Sequence, residues 1–167
     1  MNFKYCPNCG HQGTVRQETI SKYVCQDCRW EFWNNPSATV AVIFLKDGRA
    51  LFSERGIDPN KGKYDFPGGF VDYKEDIYDA CVREIKEETT VDIKKEDLAL
   101  ITGYTLEYLP GISVTDLIFV IRKWSGDFKP QDDVAALEWK PITFIDDPAF
   151  HPAYTDLGKK IDAYLSS

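Results

Sequence analysis

Long apolar runs and an excess of positive charge are both missing from this sequence. No apolar run approaches the ~20 residues that a membrane-spanning helix needs, so we expect no membrane span. The first residues do not combine a basic patch with an apolar stretch, so we expect no secretory signal. With 20 Lys and Arg against 27 Asp and Glu, the net charge is −7. Such a surface argues against a broad nucleic-acid interface, but it suits metal cations held against a small anionic substrate.

The residues that are present suffice for a hydrophobic core. Of 167 residues, 43% are hydrophobic and 14% are aromatic, which excludes wholesale disorder and low-complexity architecture. The length fits one globular domain with a small appendage. We therefore expect a small N-terminal appendage over residues 1–34 and an α/β domain over residues 36–167.

The appendage is indicated by cysteine spacing. Four of the five cysteines form two Cys-x2-Cys pairs within the first 28 residues: Cys6, Cys9, Cys25 and Cys28. Four thiolates at this spacing can converge tetrahedrally on one zinc ion, and the pattern resembles a zinc ribbon. Two disulfides are the alternative, which a reducing compartment disfavours. We expect a cytoplasmic protein, with His11 on the surface.

The ribbon has few basic residues for contacts with phosphates. Between residues 1 and 30 they are Lys4, Arg16, Lys22 and Arg29. A structural clip that folds a segment too short for its own core is therefore the favoured role, with docking of a partner or dimerisation as the second.

The remaining sequence alternates strand and helix patterns. Strands are predicted over residues 38–45, 50–53, 98–108, 114–123 and 137–140, with a hairpin turn at Asp47-Gly48. A helix is predicted over residues 76–89 with Asp76 as its N-cap, and a final helix begins near Leu157. Cys81, inside the first helix, is predicted to be a buried apolar thiol rather than a nucleophile.

Three acidic residues lie on one side of the predicted first helix. Glu84, Glu87 and Glu88 are spaced i, i+3 and i+4, where like charges destabilise a helix by about 0.2–0.5 kcal/mol per pair. One interpretation is a solvated face compensated by Arg83 and Lys86. The other is a Mg²⁺ site, because that ion takes hard oxygen ligands.

The surrounding residues favour the metal site. Phe66-Pro67-Gly68-Gly69-Phe70 is predicted to be a tight apolar loop whose glycines let a ligand approach the backbone. From Gly69 to Val91 the sequence resembles the Nudix box, G-x5-E-x7-R-E-U-x-E-E-x-G-U, where U is aliphatic. Eight of the nine specified positions agree. Thr90 stands where the family has glycine, and a β-branched residue resists the left-handed conformation that this helix exit is expected to need.

This resemblance implies a fold, a reaction and a set of site residues. The fold would be the Nudix α/β/α sandwich with a mixed sheet. The reaction would be hydrolysis of the diphosphate bond in a nucleoside diphosphate linked to another moiety. Catalytic Mg²⁺ or Mn²⁺ would be bound by the carbonyl of Gly68 and by the carboxylates of Glu84, Glu87 and Glu88.

The resemblance also assigns roles outside the metal ligands. Glu75 and Arg83 would form a structural ion pair beside Gly69. Glu87 and Glu88 would be catalytic, joined by an acid from a later loop, for which Asp133 is the candidate; a turn aspartate is the alternative for that residue. Independently of the resemblance, Arg55 closes the second predicted strand beside the expected cleft, where it would bind a substrate phosphate or form a surface ion pair.

Two functional classes follow. The first is a pyrophosphatase acting on an ADP-sugar, a dinucleotide or a nucleoside triphosphate. The alternative is a non-catalytic nucleotide sensor whose ribbon binds protein or nucleic acid. Every carboxylate of the box is retained, which favours the enzyme. A ribbon before a Nudix domain resembles the NADH pyrophosphatases, but their Ser-Gln-Pro-Trp-Pro-Phe-Pro segment is missing between residues 92 and 130, which argues against NADH. Many members of the family are dimers, so a homodimer stays open.

Overall fold

The computed structural model describes residues 2–151 and 154–166, and they divide into two compact units. One unit comprises the chain up to Pro36 together with Glu107–Ser113; the other comprises Ser37–Leu106 and the chain from Val114 onward. The limits of 1–34 and 36–167 for independently folding domains stay a prediction. None of the helices in these described residues is long and apolar enough to cross a membrane.

The N-terminal unit contains a three-stranded antiparallel sheet. Its strands are β1 (Val15–Gln17), β2 (Lys22–Cys25) and β3 (Glu31–Trp33), in the order β1-β2-β3. Four aromatic rings pack together with centroids 5.4–6.3 Å apart: Phe3, Tyr23, Trp30 and Phe32. A core of this size is too small to hold a segment folded without a cross-link. This sheet and its cysteines fit the predicted small zinc ribbon.

The second unit is built on a mixed sheet. The strands of this sheet are β4 (Ser37–Lys46), β5 (Arg49–Arg55), β6 (Tyr64–Asp65), β7 (Gly68–Phe70), β8 (Ala99–Leu109), β9 (Ile112–Ile121) and β10 (Val134–Pro141). The end of β8 and the start of β9, within Glu107–Ser113, are counted with the first unit. The order is β10-β5-β4-β9-β8, with β6 beside β5 and β7 beside β4. β4 runs parallel to β9 and antiparallel to β5 and β7. The predicted turn at Asp47-Gly48 joins β4 to β5, with both residues at positive φ.

One helix covers each face of this sheet. α1 (Ile77–Thr89) packs Ala80, Cys81 and Ile85 against Phe44 and Phe119. On the opposite face, α2 (Leu157–Leu165) and the 3₁₀ segment Ile142–Asp146 cover a second hydrophobic cluster. Another 3₁₀ segment, Lys95–Asp97, follows α1. Each fully buried Ile, Leu or Phe contributes about 1.5–3 kcal/mol. The α/β/α sandwich with a mixed sheet is confirmed, and burial on both faces explains the nearly continuous apolar run of β4.

Several local predictions can be compared with the structure directly. Asp76 is the N-cap of α1 and accepts a hydrogen bond from the amide of Tyr78 at 2.9 Å, as predicted. Cys81 is fully buried in the apolar core, as predicted, and burial raises the pKa of its thiol to about 12. The prediction of a loop over residues 66–70 was wrong in part, because Gly68–Phe70 forms β7.

Candidate active site

Two adjacent glycines bring the backbone of β7 unusually close to its neighbours. A Cβ on Gly68 would lie 2.0 Å from the carbonyl oxygen of Val40, and the φ of Gly68 is 151°. Both observations require glycine there. A Cβ on Gly69 would lie 2.6 Å from the carboxyl carbon of Glu84. The glycine pair therefore allows β7 to lie both against β4 and against a carboxylate of α1.

Glu88 is the most buried carboxylate of α1, with 7% of its surface exposed. Its Oε2 accepts a hydrogen bond from the amide of Gly68 at 2.9 Å. Burial raises the pKa of Glu88 well above its usual range; the Gly68 bond opposes this, and the charges of Asp65, Asp133 and Glu84 add to it. Negative charge is thus concentrated around a group that water does not solvate, an arrangement that a hard divalent cation would neutralise.

Arg83 organises the other acids of the box. It donates to Oε1 of Glu84 at 2.7 Å and to Oε2 of Glu87 at 3.2 Å. It also forms a two-pronged ion pair with Glu75 at 2.8 Å and donates to the carbonyl of Phe70 at 3.0 Å. The hydrogen bonds from Arg83 lower the pKa of Glu75 to about 2. The structure therefore contains an ion pair between Glu75 and Arg83. Together with the bond to Phe70, it connects the segment between β7 and α1 (the β7 loop, residues 70–76) to the side of α1.

The three glutamates do not converge on one point. Within residues 2–151 and 154–166, only the four cysteines place three or more metal-binding side chains within 4.8 Å of one another. Glu88 faces Gly68, whereas Glu84 and Glu87 face Arg83. Their oxygen donors fit Mg²⁺ or Mn²⁺ chemically, and their role as a ligand set stays a prediction.

The loop after β9 lies along the end of α1. The amides of Lys129 and Gln131 donate to the carbonyls of Thr89 and Glu88 at 3.0 and 2.9 Å. The charge of Asp133, two residues after Gln131, contributes to the raised pKa of Glu88. A residue distant in sequence thus joins the carboxylates of α1, where the resemblance would place a catalytic acid.

Asp65 is a further buried acid, to which the sequence reasoning assigned no role. Ser53 Oγ donates to it at 2.6 Å and Arg55 at 3.1 Å, while burial raises its pKa to about 6. The charge of Asp65 also raises the pKa of Glu88. An acid between two aromatic residues in a strand was the available signal. Arg55 forms an ion pair with Asp65 and donates to the carbonyl of Pro59 at 2.8 Å; its contact with phosphate stays a prediction.

Thr90 adopts the left-handed conformation that its side chain disfavours, with φ 67°. Three hydrogen bonds hold it there. Its amide donates to the carbonyl of Lys86 at 3.2 Å, its hydroxyl donates to the carbonyl of Asp127 at 2.8 Å, and Lys86 Nζ donates to the carbonyl of Thr90 at 3.0 Å. The helix exit therefore keeps a left-handed residue without the family's glycine.

The N-terminal unit contains the four-cysteine cluster. The sulfur atoms of Cys6 and Cys28 are 3.7 Å apart and those of Cys9 and Cys25 are 3.8 Å apart, well beyond a disulfide bond. Hydrogen bonds from the backbone at Cys28 and from Thr14 lower the pKa of Cys25 to about 6. A hydrogen bond from Asn8 also lowers the pKa of Cys28, whereas burial and the neighbouring thiols raise that of Cys9. Four converging sulfurs fit a tetrahedral zinc ion.

His11 lies outside this cluster. It pairs with Asp27 at 2.8 Å, and 65% of its side chain is exposed. It is the surface residue that the sequence predicts.

Comparison with known proteins identifies the family. The family described as "NUDIX domain" matches residues 34–158 of the chain. This chain belongs to the Nudix hydrolase family. A curated relative, the ADP-ribose pyrophosphatase of Methanocaldococcus jannaschii, is 30% identical over 122 residues, or 73% of this chain and 72% of that protein. The NAD-capped RNA hydrolase NudC of Vibrio atlanticus is 22% identical over 89% of this chain, which spans 53% of that relative's length.

Solved structures of this Nudix hydrolase's relatives agree on the fold. A NUDIX hydrolase from Nitrosomonas europaea aligns with a TM-score of 0.69 and 24% identity, covering 98% of this chain and 91% of that one. A MutT protein from Methanosarcina mazei Go1 aligns with a TM-score of 0.68 and 23% identity, covering 80% and 98%. The resemblance drawn from the box is confirmed at the level of family and fold.

Proposed function

We propose that this Nudix hydrolase cleaves the diphosphate bond of a nucleoside diphosphate linked to another moiety, using Mg²⁺ or Mn²⁺. The buried carboxylate of Glu88 carries the proposal. It accepts from the amide of Gly68 at a glycine-lined surface, among the charges of Asp65, Asp133 and Glu84. A site of this kind binds a divalent cation better than it binds a bare anion. A diphosphate then binds together with the cation rather than alone.

The residues proposed to bind the cation are Gly68, through its carbonyl, and Glu84, Glu87 and Glu88. When bound, the cation supplies charge neutralisation of the diphosphate and a more acidic water. The chain's own groups complete the reaction. Oxygen of water attacks phosphorus, the bridging P–O bond breaks, and a carboxylate takes the proton, for which Glu87, Glu88 and Asp133 are the candidates. Arg83 keeps the β7 loop attached to α1 through Glu75 and Phe70.

The names of the relatives supply the substrates to test first. One is called an ADP-ribose pyrophosphatase and another an NAD-capped RNA hydrolase. ADP-ribose therefore leads the panel, followed by NAD, an adenine dinucleotide, ATP and NAD-capped RNA, with UDP-glucose to test the base. We expect metal-dependent release of a nucleoside monophosphate from at least one of the adenine diphosphates.

The assay compares wild-type protein with Glu88→Gln, each with Mg²⁺, with Mn²⁺ and without either. Activity that depends on both the metal and Glu88 supports the proposal. No turnover of any compound, accompanied by measurable nucleotide binding, supports the nucleotide-sensing alternative instead. Sedimentation of the same samples tests whether the protein is a homodimer, which the resemblance leaves open.

A further inference from the structure

The segment that contains Asp133 is attached to the rest of the fold through its backbone at two points. Before Asp133, the amide of Gln131 donates to the carbonyl of Glu88 at 2.9 Å. At Asp133 itself, the carbonyl accepts a hydrogen bond from the amide of Gly56 at 2.6 Å, which is short for a bond of this kind. Gly56 directly follows β5. The backbone around Asp133 is therefore fixed both to α1 and to the end of β5.

The chain turns and changes register around Asp133. The amide of Val134 donates to the carbonyl of Gln131 at 3.1 Å, which closes a turn over residues 131–134. Directly afterwards, the register of β10 against β5 shifts between Val134 and Ala136, as in a β-bulge. Bulges change the direction of nearby side chains and are frequent beside active sites. The direction of the Asp133 side chain therefore depends on how this turn and bulge are fixed against β5.

Gly56 permits this attachment because it has no side chain. A Cβ on Gly56 would lie 2.8 Å from the carbonyl oxygen of Asp133 and 3.5 Å from the amide nitrogen of Ala135. Both atoms belong to the backbone, so a larger residue would require the chain around Asp133 to move. The φ of Gly56 lies outside the left-handed region, so the close approach and not the backbone conformation requires glycine.

The carboxylate of Asp133 acts electrostatically on the proposed site. Its charge contributes to the raised pKa values of both Asp65 and Glu88. Asp133 is partly buried, whereas the adjacent Asp132 is exposed. Asp133 is thus the acid of this turn whose position matters for the proposed site.

We propose that Gly56 is a positioning residue, whose amide and missing side chain hold the backbone of Asp133 so that the Asp133 carboxylate can act beside Glu88. This inference rests on the proposed function, which supplies the reaction that Asp133 serves. Misplacing a catalytic group by about 1 Å can reduce the rate on the order of a hundredfold. Ordinary van der Waals contact of a Cβ begins at 3.4 Å, so a methyl group at Gly56 has to displace the Asp133 carbonyl.

The first test compares two glycine variants at a temperature where melting curves show both to be folded. Gly56→Ala should lower kcat for the best substrate of the nucleotide panel about tenfold or more, while KM changes less than about threefold, because a displaced Asp133 affects the reaction more than binding. The control is Gly158→Ala in α2, where the nearest atom to the new methyl is the flexible end of Ile145. It should keep the wild-type kcat. A wild-type kcat in Gly56→Ala overturns the proposal.

A double-mutant cycle separates positioning from a merely structural role. Asp133→Asn should lower kcat, whereas Asp132→Asn, at the exposed neighbour, should not. If Gly56 acts through Asp133, adding Gly56→Ala to Asp133→Asn should lower kcat less than about twofold further, because the group that Gly56 positions is already lost. Fully additive losses in the double variant overturn the proposal, and so does a wild-type kcat in Asp133→Asn.

The attachment itself is measured without turnover. In wild-type protein, NMR should detect a scalar coupling through the hydrogen bond between the amide nitrogen of Gly56 and the carbonyl carbon of Asp133. In Gly56→Ala, the amides of Gln131 and Val134 should exchange with solvent at least about tenfold faster, while the amides of α2 stay as in wild type. A missing coupling in wild-type protein overturns the proposal, and this measurement decides the case even if Gly56→Ala does not fold.

The outcomes remain distinct from those of the nucleotide assay. If no nucleotide is hydrolysed, the proposed function fails and the positioning role fails with it, although the coupling and the faster exchange would still establish the attachment. If nucleotides are hydrolysed in a Glu88-dependent manner while Gly56→Ala keeps the wild-type kcat, the positioning role fails and the proposed function stands.

Discussion

The two groups of side chains that could bind metal ions in this chain are organised in opposite ways. The sulfurs of Cys6, Cys9, Cys25 and Cys28 all lie within 4.8 Å of one another. The carboxylates of α1 are instead held by separate protein donors, Glu88 by the amide of Gly68 and Glu84 by Arg83. Thiols can be neutral and tolerate close contact, whereas carboxylates repel one another unless cations separate them.

This difference indicates two kinds of site. A soft sulfur cluster that is assembled by the fold suits a structural ion whose binding energy stabilises a small unit. A row of carboxylates that the helix tolerates at a cost in stability suits a function for which charge is needed. The predictions below test this contrast, from the largest expected effect to the smallest.

The largest effect should follow removal of a thiol from the ribbon. Protein purified under reducing conditions should contain close to one zinc per chain, and Cys25→Ser should reduce that content and unfold β1–β3. The reason is that a structural zinc site contributes on the order of 10 kcal/mol to a segment with almost no core of its own. Metal analysis and hydrogen exchange, comparing residues 15–33 with β4, measure both effects.

The matched control removes the fifth cysteine. Cys81→Ala, in α1, should leave the zinc content and the exchange of residues 15–33 as in wild type, because Cys81 is buried in the other unit. Zinc close to zero in wild-type protein refutes the ribbon.

The next largest effect concerns Glu88, where a substitution should lower turnover without lowering stability. Glu88→Gln should lower turnover at least about a hundredfold, the scale of one lost electrostatic contact in catalysis. The melting temperature without added Mg²⁺ should hold or rise, since Gln removes a buried charge among Glu84, Asp65 and Asp133. Steady-state kinetics and thermal melts of the same preparation test this.

The control for that variant is Glu96→Gln, an exposed acid in the 3₁₀ segment after α1. It should change neither quantity. Unchanged turnover in Glu88→Gln eliminates the proposed site. Lost activity with a clearly lower melting temperature indicates a structural role for Glu88 instead.

A smaller effect should appear in the pH dependence of stability. Arg83 lowers the pKa of Glu75 to about 2 in the folded protein, whereas an unfolded chain has a Glu pKa of about 4.3. The stabilising contribution of this ion pair is therefore present above pH ~4.3 and is lost as the pH falls toward 2. Glu75→Gln should be less stable than wild type at pH 7, and the difference should shrink at pH 3.

Urea unfolding of both proteins at pH 7, 5 and 3 provides the comparison. Parallel loss of stability in wild type and Glu75→Gln over this range would show that the ion pair makes no net contribution. The pair is partly exposed, so its contribution also decreases with salt.

The smallest effect is expected at the exit of α1. Thr90→Val keeps the branched shape but loses the hydroxyl bond to Asp127, and should lower the free energy of unfolding by about 1 kcal/mol. Thr90→Gly also loses that bond but relieves roughly 1–2 kcal/mol of left-handed strain, so it should be the more stable of the two variants. Chemical denaturation resolves this order, and the reverse order would show that Thr90 is unstrained.

The sequence by itself determined the features that depend on neighbours in the chain. The Cys-x2-Cys pairs, the spacing of the box and the N-cap at Asp76 each lie within a turn or a few turns of backbone, where local geometry allows few alternatives. The continuous apolar run of β4 similarly indicated burial on both faces. Strand limits were less well predicted, as with β10, which extends from Val134 to Pro141 rather than over residues 137–140.

Only the tertiary structure decided which distant residues meet at the site. The charges of Asp65 and Asp133 act on the carboxyl of Glu88 in a fold in which β6 pairs with β5 and the loop after β9 bonds to the end of α1. His151 lies beside Tyr64 because its amide donates to the carbonyl of Tyr64. Such register is set by burial of whole faces and by hydrogen bonds between strands far apart in sequence. Local sequence patterns do not indicate this register, although a shift of one residue would turn the strand side chains to the other face of the sheet.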